Sequence, residues 1–106
     1  MSKTMNITAK ATGEVRYIMF FEKGLLQTIH VVGPGFERRF YTRTPRMHEM
    51  ELTKSVFSEI ASNICKVNPQ NVAELKEYLR ADTEYYKILQ KILTELFDQY
   101  KELILL

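Results

Sequence analysis

The spacing of the apolar residues changes near residue 44, and this change constrains the fold more than any other feature of the 106-residue chain. Before it, apolar and polar residues alternate in short segments, which is the two-residue period of a half-buried strand. After it, apolar residues recur every three or four positions, as on an amphipathic helix. The pattern predicts one α+β domain, residues 1–106, with a sheet half over 1–43 and a helical half over 44–106.

The sheet half is predicted to hold four strands separated by turn-forming residues. The segment 15–21 (VRYIMFF) is apolar at both parities, which predicts a central strand covered on both sides. Gly24 and the run Gly33-Pro34-Gly35 mark short loops, and short loops between successive strands predict an antiparallel meander over about residues 3–43. The predicted strands are residues 5–11, 15–21, 25–32 and 36–43.

Three helices are predicted in the second half, over about residues 45–66, 69–80 and 83–104. Each start has two candidate N-caps, because Ser, Thr, Asn and Asp side chains accept hydrogen bonds from the first turn of a helix. The alternatives are Thr44 followed by Pro45 or the later Thr53, Asn68 followed by Pro69 or Asn71 with Glu74, and Asp82 or Thr83.

The last helix carries a narrow apolar seam at spacings of three and four residues, which is typical of a helix that packs on a partner helix. A broader stripe (Tyr85, Ile88, Ile92, Phe97 and Ile104) favours a core helix that covers the sheet, and both arrangements can hold together. Because the apolar C-terminus would be costly to expose, we expect a homodimer or a larger assembly held by this helix. The predicted dimerisation residues are Tyr86, Leu89, Leu93, Leu96, Tyr100 and Leu103.

Composition narrows the possible functions. The single cysteine, Cys65, has no partner for an internal disulfide or a zinc site, which favours a reducing intracellular setting. We found no apolar run of membrane-spanning length and no signal-peptide pattern, so a cytoplasmic protein without membrane contact is expected. His30 and His48 lack neighbours at metal-ligand spacing, and the glycines serve turns rather than a phosphate loop. The sequence therefore predicts no enzyme activity, no metal and no cofactor.

Charge is unevenly distributed along the chain. Residues 1–54 carry a net charge of +4, and residues 55–106 carry −2. A basic half favours a polyanionic partner for the sheet.

Arginines and aromatic residues are concentrated in the segment 36–54 (FERRFYTRTPRMHEMELTK). This segment indicates which kind of polyanion the partner is. Arginine neutralises phosphate without reading sequence, and aromatic rings stack on unpaired bases, so the stretch fits a surface for single-stranded nucleic acid. The alternative is an edge strand whose arginines are solvated and whose aromatic residues belong to the core. Strand alternation predicts that Arg39, Tyr41 and Arg43 share the outer face when Phe36 and Phe40 point to the core. The other candidate binding residues are Arg38, Arg46, Arg16, Tyr17, Lys10 and Lys54.

These segments resemble parts of a known family. The strand Arg39-Phe40-Tyr41-Thr42-Arg43 and the helix entry 51–57 (ELTKSVF) are similar to motifs of the whirly, positive-cofactor-four-like single-stranded DNA-binding proteins. Residues 44–50 replace that family's lysine- and glycine-rich loop, and two helices are added. A small sheet with a zipper-like C-terminal helix also resembles the archaeal single-stranded DNA-binding proteins that lack an OB-fold. Both resemblances imply dimeric, largely sequence-independent binding of single strands.

Two other functions fit the sequence. A dimeric protein-interaction module, either an adaptor or a small inhibitor, would hold a partner protein through the C-terminal helix or the sheet. A regulator that binds double-stranded DNA fits less well, because the basic residues of the helices are interleaved with acids and form no recognition face.

Overall fold

The computed structural model describes residues 2–9, 14–43, 47 and 49–101, and in the first strand it describes only the side chain of Thr4. Within these ranges five strands precede three helices, so the predicted α+β fold is confirmed. The elements are β1 (Ser2–Ala9), β2 (Val15–Glu22), β3 (Leu25–Gly33), β4 (Phe36–Tyr41), β5 (Met50–Glu51), α1 (Lys54–Val67), α2 (Pro69–Tyr78) and α3 (Glu84–Tyr100).

The sheet has the strand order β1-β2-β3-β4-β5. The first four strands pair antiparallel, which confirms the predicted meander. The two-residue strand β5 was not predicted, and it pairs parallel to the end of β4. The backbone N–H of Leu52 extends this pairing, because it donates to the carbonyl oxygen of Tyr41 at 2.7 Å.

The hairpin turns on either side of β3 each place a glycine at positive φ. Between β2 and β3, Lys23 and Gly24 have φ of 54° and 77°, the signs that a type I′ turn requires. Between β3 and β4, Pro34 is followed by Gly35 with φ of 77°. Proline at the first central position and glycine with positive φ at the second are typical of a type II turn.

One face of the sheet is buried and the other is not. Along β2 the odd-numbered residues are buried, while Arg16, Ile18, Phe20 and Glu22 are exposed or half-buried. The prediction that this strand is covered on both sides is therefore wrong. The reason is that Arg16 and Glu22, the second and last residues of β2, lie on the same face. A strand buried on both faces would not place two charged residues on one of them. The buried residues of the inner face are Val15, Tyr17, Met19, Phe21, Leu26, Ile29, Val31 and Phe40.

The first helix begins later than predicted. α1 starts at Lys54 because residues 50 and 51 belong to β5 and cannot also be helical. The predicted start at residue 45 is wrong, and the start after Thr53 is confirmed.

The N-caps of the other two helices were among the predicted alternatives. Asn68 caps α2 by accepting a hydrogen bond from the Gln70 backbone N–H at 3.1 Å. Thr83 caps α3 by accepting one from the Tyr86 backbone N–H at 3.3 Å.

The three helices pack on one another in pairs. Their buried side chains lie at helical spacing, so that each helix turns one apolar stripe towards the others. The buried residues are Phe57, Ile60, Ala61, Ile64, Cys65, Val72, Leu75, Leu79, Tyr86, Leu89 and Leu93. Two side-chain hydrogen bonds add to this packing: the Gln90 amide donates to the Leu79 carbonyl oxygen, and the Cys65 thiol donates to the Leu96 carbonyl oxygen at 3.5 Å.

The backbone contacts divide the chain into two compact units, residues 1–53 and residues 54–106. The boundary lies at the start of α1, ten residues beyond the predicted end of the sheet half, because β5 belongs to the first unit. None of the described helices is long and apolar enough to cross a membrane.

Candidate nucleic-acid interface

The antiparallel register places the outer-face residues of β2, β3 and β4 in three rows. Residues directly opposite one another in a sheet point to the same side. One row is Phe20, Thr28 and Tyr41. The next is Ile18, His30 and Arg39, and the third is Arg16, Val32 and Glu37. We call these nine residues the outer face.

The outer face presents two aromatic rings in a single row. Phe20 is 37% exposed and Tyr41 is half-buried, so neither ring is sealed in the core. They flank Thr28, and two inter-strand spacings place their backbones about 10 Å apart. Two half-exposed rings on one flat sheet form a surface on which bases can stack.

Arginines lie on and beside the same face. Arg16 and Arg39 belong to the outer face, and Arg43 follows β4 two residues beyond its end; all three are exposed. Among the described residues, Arg16 and Arg43 form no ion pair within 4.0 Å. The Arg39 Nη2 lies 3.8 Å from the Glu37 Oε1. Since both side chains are more than half exposed, this pair is weak and leaves Arg39 available to a phosphate.

Glu37 is the acidic residue of the outer face. Its Oε1 lies 2.5 Å from the His30 Nε2, closer than it lies to Arg39. The carboxylate therefore lies beside both His30 and Arg39, and its negative charge lowers the positive potential of the face.

The structure separates the predicted binding residues into groups. It brings Arg16, Arg39 and Tyr41 together on the outer face. Tyr17 is wrong as a stacking residue, because it is 4% exposed and lies on the inner face, opposite Val31.

Arg38 is exposed but has the opposite parity to Arg39, since it pairs with the buried Val31. Lys54 is exposed at the first position of α1, in the second compact unit. Lys10 and Arg46 lie outside the described residues.

A shallow groove of about 500 Å³ runs beside β4 and β5. Arg38 and Arg39 line it together with Glu37 and Glu49, so its charges are mixed. Met47 and Met50 supply the apolar part, and they are 84% and 46% exposed. Arg38 thus lies at the edge of the sheet rather than on the outer face.

Sequence reasoning missed Phe20 as a surface aromatic residue. Arg16 and Glu22 have the parity of Phe20 on β2, and two charges at one parity indicate the solvent side of a strand. The register that places Phe20 in the same row as Tyr41 depends on a β-bulge between Phe20 and Phe21, which no sequence signal marked.

The predicted dimerisation seam is largely occupied within its own chain. Leu89 and Leu93 have no exposed surface and Tyr86 is 9% exposed, so these three residues are wrong as partner contacts. The narrow seam faces α1 and α2, because three helices in one unit bury a stripe of that width. Leu96 and Tyr100 are half-buried, and Leu103 lies outside the described residues.

Comparison with known proteins gives no match: no family model, curated protein or solved structure corresponds to this chain. The resemblance to whirly and archaeal single-stranded DNA-binding proteins stays a prediction. Within the described ranges, no group of three or more His, Cys, Asp or Glu residues is placed to hold a metal ion.

Proposed function

We propose that this protein binds single-stranded nucleic acid through the outer face of its sheet, without enzymatic activity and with little sequence preference. The observation that carries the proposal is the shared row of Phe20 and Tyr41, beside rows that contain Arg39 and Arg16. DNA is the first ligand to test, and a cytoplasmic location is part of the proposal.

Two interactions would contribute to the affinity: stacking of bases on aromatic rings and attraction of phosphates by arginines. Stacking of a base on an aromatic side chain contributes about 1–3 kcal/mol and tolerates any base, because every base has a π face. Arginines beside the rings attract the phosphates, and the release of counterions makes the affinity fall with salt. A duplex hides its base faces, so single strands should bind more tightly than the same sequence in double-stranded form.

Arg38 and Arg39 are adjacent in the sequence but have opposite parity in β4, so they provide a matched test of the electrostatic contribution to binding. The assay is fluorescence anisotropy with labelled single- and double-stranded oligonucleotides at several salt concentrations. We expect Arg39→Gln to reduce the slope of log affinity against log salt by about 0.7, the value for one phosphate contact with a single strand. Arg38→Gln removes the same charge from the next residue and should leave the slope nearly unchanged. Equal effects of both substitutions, or a preference for the duplex, would contradict the proposal.

The aromatic residues provide a second, independent test. Tyr41→Ala and Phe20→Ala should each weaken binding by about 5- to 150-fold, which corresponds to the loss of one stacked base. Phe36→Ala is the matched control, because Phe36 is 42% exposed but has inner-face parity. Tyr41→Phe keeps the ring and should bind normally. Weakening by Phe36→Ala as large as that by Tyr41→Ala would exclude a specific role for the outer face.

A protein-interaction module remains the second candidate, and one feature of α3 favours it. Tyr85, Ile88 and Ile92 lie on one flank of this helix and are half-buried. An apolar flank of this kind fits a helix of a partner protein or of a second copy of this chain. Light scattering of the wild type and of Ile88→Glu tests the homodimer: a dimeric mass that Ile88→Glu lowers supports it, and a monomeric wild type contradicts it.

A further inference from the structure

The two edges of the sheet differ in length. β5 forms one edge with two residues, and β1 forms the other with eight. Among the described strands, β1 pairs with β2 alone, in a continuous register. Natural sheets protect an open edge by shortening it or by placing proline, a bulge or charge on it. β5 is short, whereas β1 has no proline and carries Lys3 as its one charged residue, so β1 is the edge that is open to another strand.

The hydrogen-bonding pattern shows which backbone groups of β1 point to this open edge. The N–H of Thr42 donates to the carbonyl oxygen of Gln27 at 3.1 Å, and successive residues of an antiparallel strand bond alternately to its two neighbours. The odd-numbered residues of β3 therefore bond to β4, and its even-numbered residues bond to β2. Across the register, the odd-numbered residues of β2 and β1 then bond to one another. The N–H and C=O groups of Thr4, Asn6 and Thr8 thus point away from β2.

The sequence of β1 is compatible with antiparallel pairing to a second copy of itself. About a twofold axis at Asn6, Thr4 of each copy lies opposite Thr8 of the other. Lys3 then lies opposite Ala9 at the end of the ladder, so no like charges meet. An axis one residue earlier would place the lysine opposite an isoleucine inside the ladder. About six backbone hydrogen bonds would form between the edge-facing residues of the two copies.

A second copy is the partner that this edge fits. Two identical edges related by a twofold axis satisfy each other at once, which is the usual symmetry of homodimers. The α3 seam that was predicted to hold a homodimer is largely buried within its own chain. The open edge of β1 therefore supplies an interface that the helix does not.

We propose that β1 is an interface between two copies of this chain, which pair antiparallel about a twofold axis at Asn6. The pairing joins two five-stranded sheets into one continuous sheet. Directly opposed residues of a sheet point to the same side, so both outer faces lie on one side of the joined sheet. The interface does not rest on the proposed function, but under that function one single strand contacts both copies.

Cysteine cross-linking tests the register. At the axis, two copies of Asn6→Cys would have their Cα atoms about 5.5 Å apart, a separation that a disulfide spans. Thr4→Cys is the matched control, because position 4 has the same parity but lies about 14 Å from its own copy. Cys65 is present in both variants and is buried. With oxidised glutathione as the oxidant, non-reducing electrophoresis should show a cross-linked dimer for Asn6→Cys and a monomer for Thr4→Cys.

Paired charge substitutions test the same interface without a cross-link. Thr4→Glu combined with Thr8→Glu places like charges opposite each other twice in the dimer, whereas Thr4→Lys combined with Thr8→Glu places opposite charges there. The two double variants differ only at position 4, which is exposed in the single chain. Sedimentation equilibrium should give a dimer for the wild type, and dimerisation of the first variant should be at least about fourfold weaker than that of the second. Circular dichroism verifies that both variants are folded.

The outcomes that overturn this interface are specific. They are a monomeric wild type at all concentrations, equal cross-linking of the two cysteine variants, or equal dimerisation of the two double variants. A dimer that Ile88→Glu disrupts and the β1 variants leave intact assigns the interface to α3 and also overturns the proposal. Because neither assay contains nucleic acid, failure of the proposed function leaves these outcomes unchanged.

Discussion

Substitution of Leu93 by alanine tests whether the seam of α3 belongs to the core of its own chain. Leu93 has no exposed surface, and the preceding seam residue, Leu89, is also fully buried. Removing a buried leucine side chain leaves a cavity and costs about 2–5 kcal/mol of unfolding free energy. For a chain of this size, each kcal/mol lowers the midpoint of thermal unfolding by about 4–8 °C. We therefore expect Leu93→Ala to lower the midpoint by at least about 8 °C.

The neighbouring Ile92 is the matched control. It has the same number of carbon atoms, lies on the same helix and is half-buried. Ile92→Ala should therefore cost clearly less than Leu93→Ala. Urea and thermal unfolding are followed by circular dichroism at the helical band, at two protein concentrations about tenfold apart.

The concentration dependence decides the interpretation. If Leu93 packs within its chain, its substitution destabilises the protein by the same amount at both concentrations. A wild-type midpoint that rises with concentration while that of Leu93→Ala does not, or a cost for Leu93→Ala below about 1 kcal/mol, would show that the reasoning from burial is wrong.

The remaining predictions concern single positions. Thr83→Ala removes the N-cap of α3, whose hydroxyl accepts from the Tyr86 N–H, and should cost about 0.5–2 kcal/mol in urea unfolding, whereas Thr83→Ser should cost little. Gly33→Ala places a Cβ against the ring of Phe36, which is the end of a flexible, exposed side chain. We therefore expect NMR to show displaced signals of this ring and a loss of less than about 1 kcal/mol of unfolding free energy. A larger loss would mean that the ring cannot move. Burial raises the pKa of the Cys65 thiol, so the protonated thiol is favoured in the folded state. The stability that this provides is present below the ordinary thiol pKa and is lost as the pH rises above it. The unfolding free energy of the wild type relative to Cys65→Ala should therefore fall between about pH 7 and pH 10.

The elements that could be predicted from the sequence are those with a strong local signal. The period-2 pattern and the turn residues Gly24 and Gly35 predicted the antiparallel meander, and Asn68 and Thr83 were among the predicted caps. In each case the determining interaction lies within a few residues along the chain, so that a single sequence contains it.

The parts that could not be predicted depend on pairing between distant residues. β5 has only two residues, and its pairing with Phe40 and Tyr41 is a long-range contact without a periodic signal. Because of that pairing, α1 begins at Lys54 and not at the predicted position near Pro45. Tyr17 is buried and Phe20 is exposed because the odd-numbered residues of β2 face the core. The sequence does not indicate which set faces the core, since apolar residues occur at both odd and even positions of this strand.

The candidate site was predicted in part for the same reason. Alternation along β4 correctly separated Tyr41 from the buried Phe40. The contact of His30 with Glu37 depends on the register between β3 and β4, which the sequence alone does not specify.

The most direct test of the central proposal is an NMR titration of the protein with a short oligothymidylate strand. If the outer face binds single strands, the largest amide shifts should occur at Ile18, Phe20, His30 and Tyr41, and the amides of α3 should change little. Largest shifts along α3, or no shifts at strand concentrations well above that of the protein, would contradict binding by the sheet.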